Sequence, residues 1–440
     1  MSVFARGMIA MVVALILGTV SACGSRAKLT VVDGTGANPV LPPPSSSLIP
    51  VVNVVTAKGW PANATPTPAD GASVAAFARG LNHPRWLYVL PNGDVLVAET
   101  NAPVRPDDGK GIKGWFFKKY QTKAGGAVPS ANRITLLRDA DDDGVAETQS
   151  VFLEHLASPF GIALIGDDLY IANSDSLVRV RYTSGATGLR DTPVKLLDLP
   201  GGTINHHWTK SLIASPDGSR LYVGSGSNSN AAENGIDKEA ERAAILEIDL
   251  TAGTRRVFAS GLRNPVGMTW EPSTRVLWVA VNERDELGSD LVPDYITGVR
   301  EGAFYGWPYS YYGANIDRRV KPQRPDLVAT AIKPDFALGP HTASLGLAYS
   351  AGSGRAPVAG EGMFVGQHGS WNRKPRSGYK VIFVPFANGK PSGLPRDVLT
   401  DFIRDNGDAM GRPVGVAIGR DGSLLVADDV GNTVWRVTRK

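Results

Sequence analysis

One unit recurs along this chain: a short lead-in, often with proline or glycine, then an apolar strand, a tight turn with Asp or Asn before Gly, and a second apolar strand. The six copies begin at Leu81, Leu156, His206, Leu262, His341 and Met410. Most copies are followed by a further strand-like segment, so each supplies the three or four antiparallel strands of a propeller blade. Long, uneven connectors suit a closed ring of blades better than a solenoid. The sequence therefore predicts an all-β fold, a six-bladed β-propeller of antiparallel four-stranded sheets, in preference to a generic β-sandwich array.

Composition agrees with this prediction. The 50 glycines and 31 prolines favour turns and short strands over long helices. We expect one or two helical turns in AENGIDKEAERAA. A net charge of +4 without a basic run gives little support to nucleic-acid binding. With 1 cysteine the chain forms no internal disulfide, so its stability must come from its core.

The first residues are typical of an export signal. Arg6 precedes an uncharged apolar run that is too short to span a membrane comfortably. The residues before Cys23 resemble the lipobox of bacterial lipoproteins, although a plain signal peptide with an accidental cysteine is the alternative. We predict a lipoprotein signal peptide over 1–22 and an exported, periplasm-facing lipoprotein, anchored to the outer membrane through Cys23 alone.

The segment 23–72 is rich in Pro, Ser and Thr, which predicts a tether between the membrane and the folded domain. Within it SLIPVVNVVTAKGW is apolar enough to pack as a strand. The remaining residues, 73–440, are predicted to form the propeller as one catalytic domain.

The lead-ins carry most of the candidates for chemistry, because in a ring of blades they face the channel at the same end. These candidates are His83, Arg85, His206, His207, Arg263, Asn264, His341 and Arg412. Several cations that converge on one channel imply an anionic ligand, since an unpaired buried cation is costly. Any one of them alone is as readily a solvated loop residue.

Longer motifs make a resemblance specific. They are LRNPVG from Leu262, NERDELGSDLVPDY from Asn282, EGAFYGWPYSYYG from Glu301, GQHGSWNR from Gly366 and GRPVGVAIGRDGSLLVADD from Gly411. Over roughly 77–438 the chain resembles the glucose/sorbosone dehydrogenase family, and most of all its L-sorbosone dehydrogenase-like branch. The resemblance implies a quinoprotein that uses pyrroloquinoline quinone and calcium to oxidise an aldose or a sorbosone-like aldehyde sugar. Electrons would pass to a cytochrome or quinone, and no GxGxxG follows a strand to bind a nicotinamide.

The resemblance also implies roles for particular residues. His207 matches the general base, and the imidazole pKa of about 6.5 suits that task. Arg263, as a catalytic and cofactor-binding residue, and Asn264 match the pair beside the reactive quinone oxygens. Arg412 matches a cation that holds a cofactor carboxylate, and His341 takes the place of a threonine in the same site.

Three positions depart from the glucose-oxidising pattern. His206 stands where that branch has an aspartate. Val414 stands where it has a second arginine, so we expect Arg373, with Lys374 or Arg284, to supply the missing charge at the cofactor. The family holds its calcium largely through main-chain carbonyls of a loop that here runs from Glu283 to Gly288 and differs in sequence. The resemblance thus implies the carbonyls of Asp285 and Glu286 as metal ligands, with the carboxylate of Asp290 as the alternative.

Other interpretations stay open. DADDDGVAE from Asp139 resembles the front half of a calcium loop, but Ser150 holds its twelfth position, so a solvated hairpin turn is favoured over a surface calcium site. A propeller that binds carbohydrate or a protein partner without turnover is one alternative function. A calcium-dependent lactonase that recruits Glu99, Asn173 and Asp428 is another.

Overall fold

Six antiparallel sheets stand around a common axis in the computed structural model, which describes residues 26–45 and 51–440. We number these sheets as blades 1 to 6 in chain order. Their innermost strands contact one another in that cyclic order, and blade 6 contacts blade 1. The six-bladed β-propeller predicted from the repeats is confirmed.

The first three blades each use consecutive strands, which follow one another from the axis outward. Blade 1 contains Pro84–Val89, Val95–Glu99, Arg133–Arg138 and Thr148–Leu153. Blade 2 contains Gly161–Ile165, Asp168–Ala172, Ser176–Arg181 and Val194–Asp198. Blade 3 contains Leu212–Ala214, Arg220–Ser225, Ala244–Asp249 and Thr254–Ser260.

The last three blades each take an outermost strand from the N-terminal part of the chain. Blade 4 contains Pro265–Glu271, Val276–Val281, Pro293–Gly298, Phe336–Pro340 and Thr35–Gly36. Blade 5 contains Ser344–Ser350, Gly362–Gln367, Lys380–Ala387, Arg396–Thr400 and Thr67–Pro68, with Lys390–Pro391 beside its third strand. Blade 6 contains Pro413–Ile418, Leu424–Asp428, Thr433–Arg439 and Ala72–Arg79. The ring is thus closed by a strand from the start of the propeller segment, Ala72–Arg79, which pairs with the last strand of the chain, Thr433–Arg439.

Among the described residues, helices occupy only connectors. An α-helix over Gly111–Lys123, which the sequence analysis did not predict, lies between the second and third strands of blade 1. A 3₁₀ turn over Ile236–Glu239 falls in AENGIDKEAERAA, as predicted. A short helix covers Pro325–Val328, and a two-residue ladder joins Ser310–Tyr311 to Asn315–Ile316. Within the described residues no helix has the length and apolar character needed to cross a membrane.

The segment interpreted as a tether lies along the propeller where it is described. Besides the edge strands in blades 4 and 5, Thr56–Ala57 pairs with Asp408–Ala409. The N–H of Lys28 donates to the Asp290 carboxylate at 2.7 Å. This differs from an extended tether because the backbone of the segment finds hydrogen-bond partners at blade edges. The signal peptide and Cys23 lie outside the described residues.

A glycine near the start of the innermost strand explains the repeated Pro-x-Gly of the lead-ins. A Cβ on any of these glycines would collide with the backbone of the next innermost strand; they are Gly161, Gly267, Gly346 and Gly415. The innermost strands approach one another closely around the channel, so a side chain is excluded there. This close approach places the lead-in residues of successive blades side by side.

Candidate active site

Two groups of polar side chains meet at the channel face where the lead-ins lie. The first, which we call the Asp285 cluster, contains His207, Arg263, Asp285, His341 and Asn372. The second, the Asp429 cluster, contains His83, Arg85, His368, Arg412 and Asp429. Each group draws on at least three segments that are distant in sequence.

His207 presents a neutral imidazole. Its Nδ1 lies 2.9 Å from the main-chain oxygen of Ser227 and 3.0 Å from that residue's Oγ. Since a carbonyl oxygen only accepts, Nδ1 carries the proton and Nε2 keeps a lone pair. Burial lowers the pKa of His207 well below its usual value, and the Arg263 guanidinium and His206 lower it further. The ring is therefore uncharged at neutral pH and able to accept a proton at Nε2.

Asn264 and His207 both pack against Gly226, which has no side chain to keep them apart. A Cβ on Gly226 would collide with both the His207 Cβ and the Asn264 Oδ1. The Asn264 Oδ1 is buried and has no hydrogen-bond partner among the described residues. An unsatisfied buried acceptor next to a base is unusual in a folded protein, and it indicates a place for a polar ligand.

His206 is held from another blade. The Asp108 Oδ1 lies 2.7 Å from its Nδ1, and Arg105 donates to the main-chain oxygen of His206 at 2.6 Å. Arg105 and Asp108 also pair with each other at 3.1 Å. The ring of His206 meets that of His207 edge to face, with centroids 4.8 Å apart. The blade 1 connector therefore reaches over to the base that the sequence predicts.

Asp285 links blades 4 and 5 at the Asp285 cluster. Its Oδ2 lies 3.3 Å from Arg263 Nη2, and its Oδ1 accepts from Asn372 at 2.7 Å. His341 lies 3.6 Å from the same Oδ1 and hydrogen-bonds to the Gly288 oxygen through Nε2 at 2.9 Å. Burial raises the pKa of Asp285, but contact with His341 and the charge of Arg263 outweigh it and leave it below its usual value. Asp285 is therefore a carboxylate that aligns Arg263 and His341.

Asp429 collects donors from blades 1 and 5. Arg85 Nη1 donates to its Oδ2 at 2.6 Å, and His368 Nε2 lies 2.9 Å from the same oxygen. His83 Nδ1 lies 3.1 Å from the Asp429 main-chain oxygen, and Arg412 Nε donates to the His368 oxygen at 2.9 Å. Burial and then the charge of Arg412 lower the pKa of His368 to about 3, so this imidazole is neutral.

Both clusters leave polar atoms unsatisfied. Among the described residues the buried atoms without a hydrogen-bond partner include His83 Nε2, Arg85 Nε, Asn264 Oδ1, Asn372 Oδ1 and Asp429 Oδ1. Such atoms are rare in folded proteins unless water, an ion or a ligand completes them. Three arginines, together with histidine nitrogens and amide oxygens that lack hydrogen-bond partners, fit a planar ligand that carries carboxylates and carbonyls, as pyrroloquinoline quinone does.

The prediction that Arg373 binds the cofactor is corrected by the structure. This fully buried arginine donates to the oxygens of Ser289, Pro375 and Leu29 at 3.0, 2.9 and 2.9 Å. Its donors are used by the backbone because the N-terminal segment runs over it. Arg284, the other proposed replacement, is equally buried and pairs with Glu283 and Asp317 at 3.1 Å each.

Arg85 places a further guanidinium group in the Asp429 cluster. Val414 is fully buried in the apolar core between blades, so its side chain adds nothing polar to the channel. The guanidinium of Arg85, from the neighbouring innermost strand, lies beside Asp429 instead. The extra positive charge thus comes from blade 1 and not from blade 5.

The three predicted metal ligands are not brought together. Asp290 turns to the N-terminal segment, where its Oδ2 accepts from the N–H groups of Lys28 and Leu29 at 2.7 and 3.3 Å. Glu286 is exposed. Only Asp285 faces the candidate site, and both of its oxygens contact donors. The side chains of Asp285, Glu286 and Asp290 therefore do not converge on one point, and calcium ligation by the main-chain carbonyls of Asp285 and Glu286 stays a prediction.

The acidic segment from Asp139 forms the outer hairpin of blade 1, as predicted. Its four carboxylates have oxygens within 4.8 Å of one another: Asp139, Asp141, Asp143 and Glu147. Several of them already cap the turn, since Gly144 N donates to Asp139 at 2.8 Å and Ala140 N donates to Glu147 at 2.7 Å. A surface calcium site at this hairpin stays the less favoured alternative.

The residues considered for a lactonase hold the blades together. The Ala157 N–H donates to Asn173 at 3.2 Å, and the Arg412 N–H donates to Asp428 at 2.8 Å. Glu99 accepts from the Asn82 N–H and from Arg133 at 2.9 Å. Each side chain thus fastens the lead-in of its own blade, which accounts for a polar residue at this repeat position without a catalytic role.

The sequence analysis missed His368, Asp429 and Asp108 as members of the site. His368 and Asp429 each come directly after the second strand of a blade, in the repeat position that lies next to the lead-ins. A polar residue in that repeat position could therefore have been predicted to lie in the site. Asp108 could not have been predicted, because its connector has no counterpart in the other copies.

Known proteins with similar sequences agree with the fold. A family model described as TrAA12-like matches residues 66–294 and 325–440, which is more than half of the chain. The pyrroloquinoline quinone-dependent pyranose dehydrogenase of Coprinopsis cinerea is 24% identical over 431 residues, covering 84% of this chain and 54% of that protein. The chain thus spans about half the length of that relative. An uncharacterized protein of Borreliella burgdorferi is 27% identical over 292 residues, covering 64% of this chain and 76% of its own.

Solved structures share the fold. The holo pyrroloquinoline quinone domain of the Coprinopsis cinerea pyranose dehydrogenase has a TM-score of 0.67 at 21% identity, with 88% of this chain and 100% of that chain covered. The calcium structure of a Trichoderma reesei protein of carbohydrate-active enzyme family AA12 has a TM-score of 0.67 at 18% identity, covering 85% and 97%. The soluble aldose sugar dehydrogenase of Escherichia coli has a TM-score of 0.54 at 16% identity, covering 84% and 100%. The specific likeness to an L-sorbosone dehydrogenase branch stays a prediction.

Proposed function

The chain belongs to the TrAA12-like family, and on that premise we propose that it oxidises a sugar with pyrroloquinoline quinone as the electron acceptor. The substrate is an aldose or a sorbosone-like aldehyde sugar. The observation that carries the proposal is a neutral His207 beside the unsatisfied Asn264 and the cationic Arg263, at a channel face where guanidinium groups converge.

His207 is the general base of this proposal. Its Nε2 takes the proton from the hydroxyl at the carbon that is oxidised, while Nδ1 stays hydrogen-bonded to Ser227. The imidazolium that forms is stabilised by that carbonyl contact. Since the carbonyl orients the ring, the base does not need to reorganise when it accepts the proton.

Arginines and amides of both clusters would hold the cofactor. Arg85 and Arg412 offer charge for its carboxylates, and Arg263 with Asn264 lies where the resemblance expects the reactive carbonyls. The quinone, when bound, accepts the hydride and so removes two electrons from the substrate. Asp285 keeps Arg263 aligned and offsets part of its charge. Calcium beside the cofactor would be held, as the resemblance implies, by main-chain carbonyls of Asp285 and Glu286, because the side chains of these residues and of Asp290 do not converge.

The cellular setting of the proposal rests on the N-terminal sequence. A lipoprotein signal with Cys23 supports an exported protein that faces the periplasm and is held at the outer membrane by its lipid. A cytochrome or a quinone would then reoxidise the cofactor. Globomycin treatment, which blocks lipoprotein signal cleavage, should leave an unprocessed precursor if this is right; processing that is insensitive to it would exclude the lipid anchor.

The central test is reconstitution. The purified chain is titrated with pyrroloquinoline quinone, with and without calcium, and dye reduction is followed with a panel of aldoses, sorbosone-type aldehydes and pyranose oligosaccharides. We expect quinone binding by absorbance and turnover with at least one sugar. A chain that binds no quinone but binds glycans would instead be a carbohydrate-binding propeller, an alternative favoured by Val414 in the core and by the dispersed metal ligands.

A further inference from the structure

A cavity lies at the opposite end of the propeller from His207. It has a volume of about 560 Å³ and opens between blades 3 and 4. Arg275 lies in the turn between the first two strands of blade 4, and Arg220 begins the second strand of blade 3. Because the lead-ins enter at the other ends of the innermost strands, this cavity is separate from the candidate active site. Cavities of about 300–1,000 Å³ are the usual size of small-molecule sites.

Aromatic rings form one wall of the cavity. Tyr222 meets Phe258 and Trp270 edge to face, with centroids 5.1 and 5.6 Å away. The Trp270 Nε1 donates to the Ala214 oxygen at 2.7 Å, which holds the indole in one orientation. Trp270 and Phe258 stay partly exposed, so they offer rigid faces to a ligand.

A carboxylate at the base of the cavity is neutralised. Glu247 is only 4% exposed and accepts from Arg220 at 2.8 Å and from Arg256 at 2.9 Å. The Tyr222 hydroxyl donates to its other oxygen at 2.9 Å. Burial, and then the hydrogen bond to Glu247, raises the pKa of Tyr222 to about 12, so this donor keeps its proton. Arg256 also pairs with the exposed Glu301 at 2.7 Å.

One arginine of the cavity lining, Arg275, lacks a carboxylate partner among the described residues. Arg220 pairs with Glu247 and Asp249, and Arg256 pairs with Glu247 and Glu301. Arg275 is exposed and has no ion pair or side-chain hydrogen bond within the described part of the chain. The lining therefore carries three guanidinium groups against two carboxylates. An anionic group on the ligand would pair with Arg275 in the bidentate geometry that guanidinium favours.

We propose that this cavity binds a sugar that carries a carboxylate. The carboxylate pairs with Arg275, and the C–H face of the ring stacks on Trp270. Sugar hydroxyls supply the donors that the acceptor-only carboxylate of Glu301 requires. A ligand with negative charge but no hydroxyls would offer no donor to Glu301, and a neutral sugar would leave Arg275 unpaired. The proposal does not depend on the oxidation of a sugar at the other face.

The test uses methyl β-D-glucuronoside and methyl β-D-glucoside, which lack the free reducing carbon that a dehydrogenase would oxidise. Binding to the full chain is measured by calorimetry and by saturation-transfer NMR. Variants are Arg275→Gln and, as the matched control, Arg190→Gln, which changes an exposed arginine of blade 2. Circular dichroism checks that both variants fold.

We expect the glucuronoside to bind the unmodified chain and Arg190→Gln equally. Arg275→Gln should bind it about tenfold more weakly or worse, and the glucoside should be weaker by a similar factor. The proposal is overturned by three results: no saturable binding of the glucuronoside, equal binding by Arg275→Gln, or glucoside binding as tight as glucuronoside binding.

Discussion

Asp108 and His206 meet with Oδ1 and Nδ1 2.7 Å apart, although 98 positions separate them in the sequence. Asp108 belongs to the connector between the second and third strands of blade 1, whereas His206 precedes the first strand of blade 3. The pair therefore fastens that connector across blade 2, directly beside the ring of His207. The wall of the candidate site is in this way set by a contact between non-neighbouring blades.

Removal of the Asp108 carboxylate should loosen this connector. Hydrogen bonds to charged groups contribute about 1.5–3 kcal/mol, and partial exposure of His206 places this one near the lower value. Asp108→Ala should raise hydrogen exchange in 102–131 by about tenfold while the innermost strands keep their protection. Asp191→Ala, an exposed carboxylate of blade 2, is the control. Unchanged exchange in the connector of Asp108→Ala would contradict the assigned contact.

His207 should be required for turnover and not for cofactor binding. His207→Gln removes the basic nitrogen, and loss of a general base lowers kcat by about 10²–10⁴-fold. Quinone affinity, read from absorbance titration, should change by less than about threefold. A variant that keeps wild-type kcat would remove His207 from the role of base.

Arginines at the channel and under the N-terminal segment should respond differently to substitution. Arg85→Gln and Arg412→Gln should weaken quinone binding by about tenfold or more, because each loses charge for a cofactor carboxylate. Arg373→Gln should instead lower the unfolding temperature by several degrees, since Arg373 satisfies three main-chain oxygens. Quinone titration and thermal unfolding on all three variants separate the two effects. If Arg373→Gln loses the quinone at full stability, the assignment of Arg85 as the replacement cation fails.

The buried histidine of the Asp429 cluster makes stability depend on pH. The folded pKa of His368 is about 3, below the unfolded value of about 6.5, so its contribution is complete above pH 6.5 and is lost as pH falls toward 3. When the pH falls from 7 to 5, the protonation of His368 in the unfolded chain lowers the free energy of unfolding by about 2 kcal/mol. Asp428, with its pKa raised to about 6 by burial, acts in the opposite direction over pH 4 to 6.

His368→Gln should therefore lose less stability than the unmodified chain between pH 7 and 5. Urea unfolding at the two pH values gives the difference for each protein. His155→Gln, which changes an exposed histidine, is the control and should follow the unmodified chain. Equal losses in His368→Gln and the unmodified chain would show that this imidazole is not buried in its neutral form.

Glycine near the start of an innermost strand should resist any side chain. Gly267→Ala would set a methyl group against the main chain of Leu345 and Leu347, and overpacking of this kind costs about 1–3 kcal/mol. Gly393→Ala is the control, because its Cβ meets only an ordinary contact with Pro385. Denaturant unfolding of the two variants should differ by that amount; equal stability would mean that the innermost strands have room for a methyl group between them.

The predictable part of the site came from repeat position. His207, Arg263, Asn264, His341 and Arg412 all lie in lead-ins, and the ring brings them to one face as expected. Their common placement could be predicted because the start of an innermost strand has the same place in every blade, whereas their roles stay predictions. Arg373 and Asp290 failed as predicted ligands because they follow no repeat position. A charged loop residue can face either the channel or a neighbouring backbone, and both face the N-terminal segment.

Local patterns were enough to specify the blades, because strand alternation, Asp-Gly turns and close-packed glycines act over a few residues each. They also specified which residues enter the channel from the lead-ins. Three features needed the folded ring: Asp108 reaches His206, Arg85 pairs with Asp429, and Arg275 at the far end of the propeller has no ion pair among the described residues. Each depends on residues from separate blades and connectors, so it follows from ring closure and from the course of each connector, which no short stretch of sequence records.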